Sequence, residues 1–221
     1  MSAFIWQPVN EQLYRGTLDG LRLECNPLTG LLFHETELGI EFGPALGLEI
    51  VDAHDLGKKP LAEPGFVPEV ICRHDTLLIK YKPTPNRPVE CHAHYQVRSN
   101  RQIDLESSAL TPGLWQGLYL QTLTKLPFGQ IEVVDSPSFP VSMGRFENAP
   151  WTYVELLHPN DAAGLEFGHG ELRLQLFGHD LEKGVILRGR MRALLIPREN
   201  DVKTALAAFD AFVQESPNLS E

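Results

Sequence analysis

Two histidines separated by one residue lie in the segment 89–98, V-E-C-H-A-H-Y-Q-V-R, where apolar and polar residues alternate. Because successive side chains of a β-strand point to opposite faces, this segment predicts a strand with one apolar face and one polar face. The polar face would carry Glu90, His92, His94, Gln96 and Arg98. Two imidazoles on one face of a strand lie about 6–7 Å apart, which is a workable separation for two metal ligands.

The His-x-His spacing resembles the metal-binding strand of the cupin family. In that family a Glu follows the second His by four or five residues, and another His comes from a later strand. Here Ser99 and Asn100 lie near the position of the Glu, and no His follows the turn at 111–114 at short range. We therefore predict no bound metal and no cofactor, and a cupin-like metalloprotein that uses His92 and His94 remains the alternative.

Three arginines share one face of a second predicted strand, at 185–196. Arg188, Arg190 and Arg192 recur at every second residue, so their charges repel one another unless carboxylates or a ligand lie among them. Their planar donor groups suit carboxylates or vicinal hydroxyls in a polar cleft. The other interpretation is a solvated face with cross-strand partners such as Glu171.

A third predicted strand, 151–157, places Trp151, Tyr153 and Glu155 on one face. Flat aromatic side chains suit the C–H faces of sugars as well as a hydrophobic core. The carboxylate beside them makes this set a candidate site.

Composition restricts the partners. The chain has 221 residues and a net charge of −10, whereas a nucleic acid or an anionic membrane would attract a basic surface. No apolar run approaches the ~20 residues of a membrane helix. The N-terminus lacks the features of a signal peptide, and three widely spaced cysteines suit a reducing compartment. We therefore expect a cytoplasmic protein that binds neither nucleic acid nor membrane.

The pattern of elements predicts an all-β fold in a single domain, 1–221: a large antiparallel β-sandwich with one C-terminal amphipathic helix. A proline-rich segment, 57–68, predicts a long irregular loop. Asn200 or Asp201 would cap the helix. The predicted strands are 21–25, 31–34, 48–51, 69–73, 76–81, 89–98, 102–108, 117–125, 131–134, 151–157, 171–177 and 185–196.

Three segments resemble galactose-mutarotase-like proteins. The segment 19–32, D-G-L-R-L-E-C-N-P-L-T-G-L-L, resembles their first hairpin. The segment 103–118, I-D-L-E-S-S-A-L-T-P-G-L-W-Q-G-L, is similar to a mid-sheet strand and its turn, and 179–192, H-D-L-E-K-G-V-I-L-R-G-R-M-R, to the closing hairpin. The resemblance implies a supersandwich whose concave sheet handles a small-molecule or oligosaccharide ligand. The catalytic pattern of aldose epimerases is not found, so the resemblance supplies no catalytic residue.

We therefore predict a carbohydrate-binding protein and, if it is an enzyme, a cofactor-independent sugar isomerase or epimerase. Ring opening of a sugar needs a base for the anomeric hydroxyl and an acid for the ring oxygen. His94 or His92 would be the acid and Glu155 the base, while Arg98 and the arginines of 185–196 would bind hydroxyls. A non-catalytic structural or interaction protein is a further alternative beside the cupin-like metalloprotein.

Overall fold

The computed structural model describes residues 4–216, apart from 19, 36–38, 53–57, 61–66, 86, 100, 117, 128, 179 and 181. The described residues form eighteen strands, one α-helix and one short 3₁₀-helix, and every pair of neighbouring strands within the sheets is antiparallel. This arrangement confirms the predicted all-β sandwich with a C-terminal helix. All twelve predicted strands are present, and their bounds match the prediction or differ from it by one or two residues.

The strands form three sheets. The first comprises β1 Gln7–Asn10, β2 Leu13–Leu18, β3 Leu21–Asn26, β4 Gly30–Glu35 and β5 Ile40–Ala45, in that order. The second comprises β6 Gly47–Asp52, β7 Lys58–Pro60, β12 Leu118–Lys125, β16 Ala162–Gly168 and β17 Glu171–Leu176. The third comprises β8 Glu69–Arg73, β9 Thr76–Tyr81, β10 Glu90–Ser99, β11 Gln102–Leu110, β13 Gly129–Val134, β14 Val141–Phe146, β15 Trp151–Leu157 and β18 Ile186–Pro197.

The eight-stranded third sheet has the order β13-β14-β15-β18-β11-β10-β9-β8. One of its faces packs against the two five-stranded sheets, and their side chains form one core cluster that includes residues from Phe4 to Leu195. The alternation of buried and half-buried residues along β10 and β11 shows which side chains point inward. On β10, the buried Tyr95 donates a hydrogen bond of 2.8 Å from its hydroxyl to the carbonyl of Leu46, between β5 and β6.

The outer face of the eight-stranded sheet points away from the two five-stranded sheets, and the helix α1 Asp201–Gln214 covers one part of it. A second apolar cluster lies between the helix and β14, β15 and β18, and includes Met143, Leu156, Ile196 and Phe209. The outward residues of β18 are therefore arginines near its start and apolar residues beneath the helix.

Six strands were not predicted: β1, β2, β5, β7, β14 and β16. Five of the six residues of β14 are buried, and the alternation that begins with Val141, Ser142 and Met143 does not continue to the end of the strand. β7 lies inside the segment predicted as an irregular loop and pairs with β6 at the edge of its sheet. Pro60 is the last residue of β7, and β7 is an edge strand, the position in a sheet where proline is tolerated. Residues 61–66 of that predicted loop lie outside the described residues.

The start of the helix differs from the prediction of a side-chain cap. Asn200 is the N-cap residue with a φ of 57°, and its side chain makes no capping hydrogen bond. The carboxylate of Asp201, one residue later, instead accepts from the backbone N–H of Val202 at 2.8 Å and from Arg145 and Thr152 of the sheet. Asp201 thus ties the helix to the sheet. Within the described residues, no helix has the length and apolar character needed to cross a membrane.

Candidate functional site

The two predicted polar strands share the outer face of the eight-stranded sheet, separated by one strand. β11 pairs with β10 on one side and with β18 on the other. His92, Ser108 and Arg188 form one row across the three strands, and His94, Glu106 and Arg190 form the next. Eleven polar side chains on the outward face of these strands make up what we call the polar face. They are Glu90, His92, His94, Gln96, Arg98, Asp104, Glu106, Ser108, Arg188, Arg190 and Arg192.

Arg192 is held by two carboxylates, one on β11 and one at the C-terminal end of the helix. Its Nε lies 2.7 Å from Oδ1 of Asp104, and its Nη2 lies 2.7 Å from Oε2 of Glu215. Its guanidinium also lies 4.8 Å from the ring centroid of Phe212, and the residue is only 7% exposed. Arg192 therefore fixes the C-terminal end of the helix on the sheet and has little surface left for a ligand.

Arg190 and Arg98 are also paired. Arg190 donates from its backbone N–H to Oδ2 of Asp161 at 3.0 Å, and from its side chain to the carbonyl of Glu215 at 3.1 Å. Arg98 donates from Nε to Asp104 at 3.0 Å. A cleft of about 50 Å³ lies between Arg190, Arg192 and the helix end, and Asp104 and Glu106 also line it. This end of the polar face therefore has a structural role.

Arg188 is the arginine of β18 with the most accessible side chain. Its side chain is 46% exposed, and its contact with Glu106 is an ion pair of 3.8 Å, which is longer than a hydrogen bond. The guanidinium therefore keeps donors that a ligand could use. Ser108 lies directly across from Arg188 on β11, and adds a hydroxyl to this part of the polar face.

The two histidines of the motif differ in their partners. Nε2 of His92 lies 2.8 Å from Oε1 of Glu90, so this ring is oriented by a carboxylate on its own strand. Among the described residues, neither ring nitrogen of His94 has a hydrogen-bond partner. Burial lowers the pKa of His94, and Arg98 adds to this effect while Glu106 opposes it. His94 is therefore a neutral imidazole at neutral pH, with both nitrogens open to a ligand.

The structure does not bring Glu155 together with the histidines. Glu155 pairs with Ala193 in the ladder and points into the core, as Ala193 does. Its Oε1 accepts hydrogen bonds from Thr124 and, at 2.6 Å, from the hydroxyl of Tyr153. Burial raises the pKa of Glu155 to about 7. A ligand on the polar face cannot reach this carboxyl group, because the sheet lies between them.

The candidate aromatic residues lie on the same inner side. The ring centroids of Trp151 and Tyr153 are 5.9 and 5.0 Å from that of Phe42 on β5. Tyr153 is 1% exposed, so its ring is part of the core. Neither aromatic residue contributes to the polar face.

Sequence reasoning predicted the strand at 102–108 but did not identify its acidic residues as part of the site. β11 places Asp104 and Glu106 on the polar face, between the histidines and the arginines. A signal was present, because the acids alternate with Ile103 and Leu105 on a strand that follows the histidine strand after a short turn. In the described part of the chain, no group of three or more His, Cys, Asp and Glu residues is placed to hold a metal ion.

Three solved structures are similar to this chain. An aldose 1-epimerase from Escherichia coli, provisionally named as such, has a TM-score of 0.57 and 8% identity, over 84% of this chain and 99% of its own. A provisionally named kojibiose phosphorylase from the human microbiome has a TM-score of 0.57 and 6% identity over 97% of this chain. A polysaccharide lyase has a TM-score of 0.57 and 11% identity over 95% of this chain.

The comparisons support the fold. The chain spans about a third of the phosphorylase and of the lyase, 33% and 35%. No family model matches the sequence, and no curated protein matches it. At these identities the similarity shows the architecture alone, which is consistent with the galactose-mutarotase-like fold implied by the resemblance of the three sequence segments.

Proposed function

We propose that this protein binds a small sugar or an oligosaccharide on the polar face, around His94, Glu106, Ser108 and Arg188. The observation that carries the proposal is the convergence of the two predicted polar strands on one outer face, with accessible donors and acceptors in adjacent rows. Neighbouring strands lie about 5 Å apart, so three strands span about 10 Å, which suits one sugar ring and its substituents.

The chemistry of this region suits hydroxyl groups. The guanidinium of Arg188 offers planar donors, Glu106 offers acceptor oxygens, and Ser108 offers both. The neutral ring of His94 offers one donor and one acceptor. The names of the three similar structures, an aldose 1-epimerase, a kojibiose phosphorylase and a polysaccharide lyase, all refer to sugar chemistry and support the same class of ligand.

A thermal-shift screen with monosaccharides and oligosaccharides tests the proposal, because a ligand that binds only the folded state raises the melting temperature. We expect at least one carbohydrate to stabilise the protein, and the double variant His92→Ala/His94→Ala to lose that shift. His34→Ala is the matched control, because His34 on β4 also lies 2.8 Å from a carboxylate, that of Glu41. No shift with any carbohydrate, or an equal shift in the double variant, would contradict the proposal.

The second candidate function is sugar isomerisation on the same face, favoured by the position of His94 opposite Glu106. In this scheme Glu106 accepts the proton of the anomeric hydroxyl, and the imidazolium form of His94, whose fraction grows as the pH falls, donates a proton to the ring oxygen, so that the C–O bond of the ring breaks. Closure after rotation reverses both transfers and gives the other anomer. Glu106 takes the role that residue type alone had given to Glu155.

Polarimetry of freshly dissolved galactose and glucose tests this second function. We expect the protein to accelerate mutarotation, and His94→Ala and Glu106→Gln each to reduce the rate at least about a hundredfold. An unchanged rate in either variant would exclude His94 and Glu106 as the acid and the base. If the wild-type protein bound sugar without accelerating mutarotation, only the binding function would remain.

A further inference from the structure

Every arginine of the polar face already has a carboxylate partner. Arg98 lies 3.0 Å from Asp104, Arg188 lies 3.8 Å from Glu106, and Arg190 lies 3.5 Å from Asp161. Arg192 lies 2.7 Å from both Asp104 and Glu215. A site for a carboxylate or phosphate group needs cationic donors that its own structure leaves uncompensated. These four arginines do not meet that requirement.

The nearest further cation is Lys80 on β9, directly across from His92, and it also has a carboxylate partner, Glu69, at 3.5 Å. Glu90 contacts the ring of His92 at 2.8 Å, and burial keeps His94 neutral by lowering its pKa. The carboxylates that belong to the polar face or reach it include Glu90, Asp104, Glu106, Asp161 and Glu215, and Asp75, which accepts a hydrogen bond from Gln96. The whole chain has a net charge of −10, so the surrounding field also repels an anion.

We infer that the polar face selects sugars without an ionised group, and that Glu106 is the residue that sets this preference. The inference rests on the proposed function, since it concerns the ligand of the same face. Arg188 is the most accessible guanidinium on β18, and an anionic substituent that approached it would come close to the carboxylate of Glu106. A sugar hydroxyl in that position instead accepts from Arg188 and donates to Glu106.

Matched pairs of sugars test the inference: galactose against galacturonate, and glucose against glucuronate. Affinity is measured by NMR titration of the unsubstituted 221-residue chain at low ionic strength, where charge effects are largest. We expect the neutral member of a pair to bind at least about tenfold more tightly than the acid. In Glu106→Gln, which leaves Arg188 without its carboxylate, this preference should decrease about tenfold or reverse.

Glu24→Gln is the control variant, because Glu24 contacts Arg22 at 3.7 Å on a different sheet, and it should keep the wild-type preference. Equal or tighter binding of the acids by the wild-type protein would overturn the inference while the proposed binding function stood. A preference that is unchanged in Glu106→Gln would overturn the role of Glu106. Binding of none of the four sugars would overturn the proposed function and the inference together.

Discussion

His94 on β10 lies directly opposite Glu106 on β11, on the face of the eight-stranded sheet that points away from the core. Residues that face each other across an antiparallel pair have Cβ atoms about 4.5–5.5 Å apart, so a single sugar hydroxyl can contact both. The rigid ladder of the two strands fixes this relationship. The candidate site therefore depends on the register of these two strands.

The substitution Arg188→Ala should abolish carbohydrate binding and leave the free energy of unfolding within about 1 kcal/mol of wild type, because exposed ion pairs contribute little stability. Arg22→Ala is the matched control. Arg22 lies 3.7 Å from Glu24, and its side chain is 41% exposed. This distance is close to that between Arg188 and Glu106, and this exposure is close to that of Arg188. Isothermal titration with the best carbohydrate of the screen, together with urea unfolding, checks both variants. Equal loss of binding in both would argue against a site at Arg188.

Glu155 should make the stability of the protein depend on pH. Its pKa is about 7 in the folded state and 4.5 when exposed, so the folded state holds the proton more tightly. The stabilisation is complete below about pH 4.5 and is lost as the pH rises through 7, a change on the order of 3 kcal/mol.

The variant Glu155→Gln keeps an oxygen that accepts from Tyr153 and Thr124 but cannot ionise. Relative to the wild type, it should therefore gain stability between about pH 5 and about pH 9, as measured by urea unfolding across that range. If the free energy of unfolding changed with pH in the same way in both proteins, this would contradict a raised pKa of the buried Glu155 carboxyl group.

Arg192 should contribute more to stability than any other arginine of the polar face. Arg192→Met breaks a largely buried pair with Asp104 and releases Glu215, and we expect a loss of roughly 2–3 kcal/mol. Glu215→Gln should cost less than about 1 kcal/mol, because that side chain is 50% exposed. Urea unfolding measures both variants, and a smaller loss for Arg192→Met than for Glu215→Gln would be inconsistent with the observed contacts.

The fold was largely predictable because most strands have one buried and one half-buried face, and their sequences alternate accordingly. β14 was missed for the opposite reason: its inward side chains face the core and its outward ones, such as Met143, lie beneath the helix. β1 was missed because all four of its residues are exposed. Burial on both faces, or on neither, removes the period-two signal.

The candidate site was predictable only in part. Alternation placed the histidines and the arginines on polar faces of their own strands, and the sheet order then brought those faces together. The same alternation could not show that Glu155 points to the opposite side of the sheet, because this depends on how β15 pairs with β18. The ion pairs of the arginines with Asp161 and Glu215 join residues that are distant in sequence, so alternation along a strand could not predict them.

The position of a bound carbohydrate is the most direct test of the account. Amide NMR spectra of isotopically labelled protein, titrated with the best carbohydrate of the screen, report which residues sense the ligand. We predict shift changes concentrated at His94, Glu106, Ser108 and Arg188, and none around His34 and Glu41 on the separate five-stranded sheet. Changes centred on that second region, or no change at a concentration that saturates the thermal shift, would contradict a sugar site on the polar face.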